Sequence, residues 1–313
     1  MLKDIYYSRP FKTRNADEYD LSAILDLFVD PTESLHSPFD YENVIVKGRM
    51  GTGKTMYLRA NYAFYLYNIV PSLLYGSTVI LPIYIRLSDL QHLSSAEDIY
   101  RCVMVKIIEE LCSIYEQLQD AKKMASIHKG VCSLPLSSLS SKGKLRSTYD
   151  ELLKLNSDEY IQKIKSEFGA NTGLISQFIK ASMEYKEDII LEIRKKSQPS
   201  ISDVNKFFNV LMKGIDGKLI ILLDEAGSIN KSFFDEKNGP SYFEILMNQF
   251  RTAEYIRTKI AVYPESYSDI LTETRYGDTY HLQEDITTEK GYESFYHRGL
   301  VLIERYISSS VGR

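Results

Sequence analysis

The chain has 313 residues, of which 44% are hydrophobic and 26% charged, a composition that excludes disordered and collagen-like proteins. Its 38 Lys and Arg against 42 Asp and Glu give a net charge of −4, so charge does not favour DNA as a partner. The three cysteines lack CxxC spacing and the N-terminus lacks a signal-peptide core, which disfavours disulfides and zinc sites and predicts a cytoplasmic protein.

The first predicted strand, Val44–Lys47, leads into a turn that matches G-x-x-x-x-G-K-T from Gly48 to Thr55, and a helical pattern follows. Glycines in such a loop let backbone N–H groups surround phosphate oxygens, while the lysine reaches the β- and γ-phosphates and the Thr hydroxyl binds Mg²⁺. We therefore predict a phosphate loop with Lys54 on the phosphates and Thr55 as a metal ligand. The predicted nucleotide-binding residues here are Gly48, Arg49, Met50, Gly51, Thr52, Gly53, Lys54, Thr55 and Met56.

No charged residue lies between Arg59 and Arg86, a stretch longer than the roughly 20 residues that span a bilayer. Pro71 and Gly76 divide it into a helix-like half and a strand-like half. The second half contains the next predicted strand, Val79–Leu87. We therefore predict no membrane helix and no membrane partner.

More than a hundred residues separate this strand from the next one, whereas a crossover with a single helix is much shorter. Apolar residues at helical spacing between Ile99 and Leu118, and again over 149–196, predict a large all-helical insertion. The Ser-rich stretch Ser137–Ser141 predicts a loop within it.

The third predicted strand, Leu219–Leu223, has five consecutive apolar residues and is followed by Asp224 and Glu225. Such a run is typical of a strand buried on both faces of a parallel sheet, which places Asp224 at the carboxyl edge where α/β sheets bind ligands. This is the pattern of a Walker B strand. We predict that Asp224 binds Mg²⁺ and that Glu225 polarises the water that attacks the γ-phosphate.

A GTPase is the main alternative for the same loop, because Asp224-Glu-Ala-Gly227 also matches DxxG. Asn230-Lys231 suggests the guanine-binding NKxD motif, but Phe233 stands where its acid is required, and the two motifs lie too close together. An ABC ATPase is disfavoured because no LSGGQ-like segment is present. ATP is therefore the predicted nucleotide.

Lys259–Tyr263 and Thr279–Leu282 predict two further strands. The predicted helices in this part of the chain are Tyr242–Arg257, Tyr267–Thr274 and one around Tyr292–Ile307. The alternation predicts an α/β P-loop NTPase fold, a five-stranded mainly parallel sheet flanked by helices, with the helical insertion between the second strand and the Walker B strand. The predicted divisions are 1–92, lead-in and first part of the ATPase domain; 93–212, insertion; 213–288, second part; and 289–313, the start of a truncated or minimal lid helix.

The chain resembles the AAA+ and STAND ATPases, most closely their bacterial ORC/Cdc6-like branch, over about residues 10–120 and 210–308. The resemblance lies in the order of the predicted strands and of the segments GRMGTGKT, LIILLDEAG and KIAVYP, followed by Arg275 before the last strand. The resemblance implies ATP and Mg²⁺ as cofactors, and Lys54, Glu225 and Arg275 as catalytic residues. It also implies Ser266 as the sensor-1 residue at the nucleotide and Arg275 as an arginine finger. An ion pair of Arg275 with Asp278 is the alternative for that arginine.

We expect a Mg²⁺-dependent ATPase that acts as a conformational switch, in a homo-oligomer or beside a neighbouring ATPase that supplies the arginine finger. The resemblance implies a component of a bacterial DNA-associated or anti-phage defence system that works with an effector protein. Two alternatives are a nucleotide-gated scaffold with little turnover and an ORC/Cdc6-like DNA-loading factor. The net charge and the lack of a winged-helix segment disfavour the DNA-loading factor.

Overall fold

The structure, a computed structural model, describes residues 16–19, 21–31, 37–75, 77–127, 200–212, 216–235, 239–263, 278–282 and 286–311. The strands are β1 (Val44–Lys47), β2 (Val79–Arg86), β3 (Gly217–Asp224), β4 (Ile256–Val262) and β5 (Asp278–His281). The helices are α1 (Leu21–Leu27), α2 (Lys54–Tyr75), α3 (Ala96–Ile127), α4 (Ile201–Leu211), α5 (Tyr242–Thr252) and α6 (Glu289–Val311).

The strands form one parallel sheet in the order β2-β3-β4-β1-β5. This confirms the predicted five-stranded α/β sheet with flanking helices. β4 lies between β1 and β3, so the chain leaving β1 and the chain leaving β3 reach the same edge of the sheet with the end of β4 between them. This order sets the geometry of the candidate site.

Both faces of β3 are buried, as its continuous apolar run predicts. Alternate residues of β3 enter different hydrophobic clusters: Leu219, Ile221 and Leu223 pack on one face, and Ile220 and Leu222 on the other. Helices α3, α4 and α5 cover the first face and α1 covers the second, while α2 contributes to both. The central strands are therefore held from both sides.

Helix α5 is shorter than the sequence pattern predicts. It begins with a capping box in which Ser241 Oγ accepts a bond from Glu244 N and the Glu244 carboxylate accepts one from Ser241 N. It ends at Thr252, and Ile256 is the first residue of β4, fully buried beside Leu219. The prediction of a helix to Arg257 was wrong because a buried apolar residue fits a helix face and a central strand equally well.

The described ends of the predicted insertion are helical and pack on the sheet. Ile99, Val103, Ile107 and Leu111 of α3 are buried in the same cluster as the strands. Residues 128–199, which include the predicted Ser137–Ser141 loop, lie outside the described residues. The helical insertion as a whole therefore stays a prediction.

The long uncharged stretch is divided into a helix and a strand as predicted, since α2 ends at Tyr75 and β2 begins at Val79. Pro71, which was predicted to help divide them, instead lies within α2, which continues four residues beyond it. Among the helices that the structure describes, none is long and apolar enough to cross a membrane. The last predicted helix is present as α6, which packs against α1 and donates a bond from Arg298 to Pro31 O at 2.9 Å.

Candidate nucleotide-binding site

The glycine-rich loop joins the carboxyl end of β1 to the first residue of α2. Gly51 and Gly53 have φ angles of +84° and +90°, a left-handed conformation that glycine adopts without steric cost. A Cβ on Gly48 would collide with the Thr52 hydroxyl group. The predicted strand, loop and helix are therefore present in this order, and the loop leads to the amino end of α2, where a helix favours anions.

Lys54, the first residue of α2, is 7% exposed. Its Nζ donates hydrogen bonds to Gly48 O at 2.7 Å and Arg49 O at 2.8 Å. The same ammonium lies 4.1 Å from the centre of the Tyr263 ring, within the range of a cation–π interaction. Burial lowers the pKa of Lys54, and the Asp224 carboxylate opposes that shift. Lys54 thus stands at the loop with a negative charge nearby.

Asp224 is the last residue of β3 and is 1% exposed. Its Oδ2 accepts a bond from the Tyr84 hydroxyl at 2.6 Å, and its Oδ1 accepts one from Glu225 N at 2.8 Å. Tyr84 lies on the neighbouring strand β2, whose Arg86 is the register partner of Asp224. Both oxygens of this buried carboxylate therefore have fixed donors.

Glu225 follows β3 with φ 55° and ψ 37°. Among the described residues it is the one non-glycine residue with a positive φ, a conformation that costs about 1–2 kcal/mol. Such strained residues cluster at functional sites. The turn at Glu225 leads directly into the short 3-10 helix Ala226–Ser228.

Tyr263 follows β4 and lies between the two halves of the site. Burial raises the pKa of its phenol, and the Glu225 and Asp224 carboxylates raise it further. Its ring faces Lys54, so one side chain is close to the cation and to both acids. No role was predicted for Tyr84 or Tyr263 from the sequence. The position of Tyr263 at the end of the predicted strand Lys259–Tyr263 is the signal that points to it.

The side chains at this edge suit a nucleotide with Mg²⁺. The Thr55 hydroxyl and the Asp224 carboxylate are oxygen ligands of the kind Mg²⁺ prefers, and Lys54 with the loop N–H groups suits phosphate. Among the described residues there is no group of three His, Cys, Asp or Glu side chains that could hold a metal ion.

The structure brings together the predicted residues 48–56 and Asp224-Glu225. Within the loop, Met50 is 87% exposed, whereas Met56 is half-buried and packs on the core. Ser266, Arg275 and the predicted helix Tyr267–Thr274 lie outside the described residues.

A family model described as ORC-CDC6-like matches residues 9–233 of the chain. Comparisons with curated proteins and with solved structures return no match. The family match includes the phosphate loop, Tyr84 and the Asp224-Glu225 pair, and it ends before β4. The family match spans more than two thirds of the residues of the chain. The chain therefore belongs to the ORC-CDC6-like family, as the resemblance predicted.

Proposed function

We propose that this chain binds ATP with Mg²⁺ and hydrolyses it at the edge of the sheet where β1, β4 and β3 end. The observation that carries the proposal is the convergence of Lys54, Asp224 and Glu225 on that edge. Membership of the ORC-CDC6-like family, whose members are typically AAA+ ATPases, supports the same activity.

Each group has a distinct task in this proposal. The loop N–H groups and Lys54 hold the phosphates, and Thr55 with Asp224 holds the metal ion. The bound Mg²⁺ supplies positive charge that neutralises the phosphate oxygens. Glu225 orients and polarises the attacking water, with its carboxylate accepting a hydrogen bond from that water.

Two substitutions test the proposal. Lys54→Ala should lose ATP binding and turnover together, because the ammonium makes a charge-assisted contact with phosphate. Glu225→Gln should keep ATP binding and lower turnover about 10²-fold or more, because the amide cannot act as a base. Calorimetry measures binding and phosphate release measures turnover, with the exposed residues Lys231→Ala and Glu254→Gln as matched controls. Binding by Lys54→Ala as tight as wild type would contradict the proposal.

A nucleotide-gated scaffold is the second candidate. The observation in its favour is that Tyr263 directly follows β4, whereas Ser266, the small polar residue that the resemblance implies as sensor 1, comes three residues later in the sequence. ATP binding without phosphate release in any oligomeric state would favour this candidate over the ATPase.

The proposed setting is an oligomer, or a complex with a neighbouring ATPase, in which Arg275 reaches the nucleotide of the next subunit. The resemblance further suggests an effector protein and a role in a bacterial DNA-associated or anti-phage defence system. Mass photometry with and without ATP, with the products of neighbouring genes present, tests the assembly.

A further inference from the structure

Two tyrosines that carry no assigned role contact two of the charged groups on which the proposed function depends, Asp224 and Lys54. We infer that Tyr84 and Tyr263 are positioning residues of the nucleotide site, Tyr84 through its hydroxyl on Asp224 and Tyr263 through its ring face on Lys54. The inference rests on the proposed function and adds to it that Tyr84 orients the group proposed to bind the metal ion, whereas Tyr263 orients the group proposed to bind the phosphates.

Tyr84 fixes the direction of the Asp224 carboxylate. A carboxylate buried this deeply needs hydrogen-bond donors, and Tyr84 and the Glu225 N–H provide one for each oxygen. Because each oxygen has two acceptor positions, both retain capacity for a metal ion or its water shell. Groups that hold a metal ligand in this way typically change metal affinity strongly when they are removed.

The part of Tyr84 that matters is its hydroxyl group. Its ring packs at a 6.0 Å centroid distance from Tyr62, a contact that phenylalanine would preserve. Tyr84→Phe therefore removes the bond to Asp224 and keeps the packing. Tyr100 provides a matched control, because its hydroxyl donates an equally short 2.6 Å bond to Gln249, a residue of α5.

Tyr263 acts on Lys54 through its ring. Two of the three ammonium donors of Lys54 go to Gly48 O and Arg49 O, and the ring face lies 4.1 Å from the same nitrogen. A flexible lysine side chain is thereby confined next to the loop. Since β4 lies between β1 and β3, the residue that follows β4 is the one placed to make this contact. Phenylalanine preserves the ring face and leucine removes it.

The test measures ATP affinity by calorimetry in EDTA and in excess Mg²⁺, for the full chain and each variant. We expect Tyr84→Phe to bind ATP in EDTA with the wild-type affinity. The increase in ATP affinity on adding Mg²⁺ should be about tenfold smaller in Tyr84→Phe than in wild type. Tyr100→Phe should show the wild-type gain. Tyr263→Leu should bind ATP about threefold to 30-fold more weakly in both buffers, and Tyr263→Phe should recover that loss. Melting temperatures establish that each variant is folded, and Tyr263→Met provides a second variant without a ring.

Different results would overturn different parts. A wild-type Mg²⁺ gain in Tyr84→Phe would remove Tyr84 from the metal side. Binding by Tyr263→Phe as weak as that of Tyr263→Leu would show that the hydroxyl, and not the ring, serves the site. A wild-type chain that binds no ATP in either buffer would overturn the proposed function and this inference with it, whereas wild-type binding with unaffected variants would overturn the inference alone.

Discussion

Lys259 is a charged residue in an unusual place, since it lies within β4 with 1% of its surface exposed. Its Nζ donates bonds of 2.7 Å to Pro38 O and to Asn61 Oδ1, both uncharged acceptors. Burial lowers the pKa of Lys259 to about 7, and the more distant Asp40 and Glu42 carboxylates partly oppose this shift. Lys259 therefore connects the segment before β1 to the sheet, and its pKa of about 7 lies close to neutral pH.

This pKa makes stability depend on pH in a defined direction. The unfolded lysine has a pKa near 10.4, so between about pH 7 and pH 10 the unfolded chain binds one proton more than the folded chain at this residue. Lys259 should therefore make the free energy of unfolding rise with pH by up to about 1.4 kcal/mol per unit in that window. Its contribution is lost as the pH falls to about 7.

Urea unfolding at pH 7, 8 and 9 measures the slope for wild type and for Lys259→Met. The variant leaves the Pro38 and Asn61 acceptors without this donor, so its absolute stability is expected to fall, and the readout is the difference in slope. Equal slopes would show that Lys259 keeps an ordinary pKa in the fold.

At the scale of elements, the phosphate loop depends on backbone conformation at two glycines. A Cβ on Gly51 or Gly53 would meet no atom within 4 Å in the described structure, so the obstacle to a side chain is the positive φ and not space. Gly53→Ala should shift the loop N–H groups and weaken ATP binding by about tenfold, which corresponds to the 1–2 kcal/mol cost of a left-handed alanine.

Gly239→Ala is the control, because Gly239 also has a positive φ, +131°, and lies outside the loop. It should lower the melting temperature and leave ATP affinity as in wild type. If fluorescence titration shows Gly53→Ala binding ATP like wild type, the glycine conformation is not required for the phosphate site.

The strands and the loop could be predicted because each has a local signal. The apolar run 219–223 indicated burial on both faces, and GRMGTGKT combines a motif with the required strand and helix. The end of α5 lacked such a signal, because Ala253 and Ile256 are compatible with a continued helix.

The roles of the two tyrosines were not found this way, since the chain has 24 tyrosines, no local pattern distinguishes Tyr84, and the one local signal for Tyr263 is its place at the end of a predicted strand. Their positions follow from strand order: β2 pairs with β3 across more than a hundred residues of sequence, and β4 lies between β3 and β1. The left-handed backbone at Glu225 is equally a property of the folded turn.

At the scale of the whole molecule, the proposed oligomer would bring Arg275 of one chain to the nucleotide of the next. Asp278, three residues after Arg275, opens β5 at the amino edge of the sheet, beside Val44, whereas the phosphate loop is at the carboxyl edge. Arg275 itself lies outside the described residues, and its role in trans, at the nucleotide of a neighbouring subunit, is a proposal.

Mixing two inactive variants tests that role. Arg275→Ala lacks the finger and Lys54→Ala lacks the phosphate contact, so each should be inactive alone. Together they should form interfaces with one intact loop and one intact Arg275 and recover part of the turnover, since such an arginine is worth roughly 10³-fold or more in rate. No recovery in demonstrated mixed oligomers would favour the local ion pair with Asp278.

If the chain binds ATP as proposed, the order of the strands gives the bound nucleotide an effect on the stability of the sheet. The proposed ligand would contact residues after β1 and after β3, two strands that do not touch each other because β4 separates them. Bound MgATP would then connect the segments on both sides of β4, and local unfolding of β4 would require release of the ligand. Amide hydrogens of residues 256–262 should therefore exchange with solvent more slowly with MgATP than without it. This slowing should be larger for residues 256–262 than for the amide hydrogens of α6. Ligand binding at this edge of the sheet would in this way also stabilise its middle strand, β4, against local unfolding.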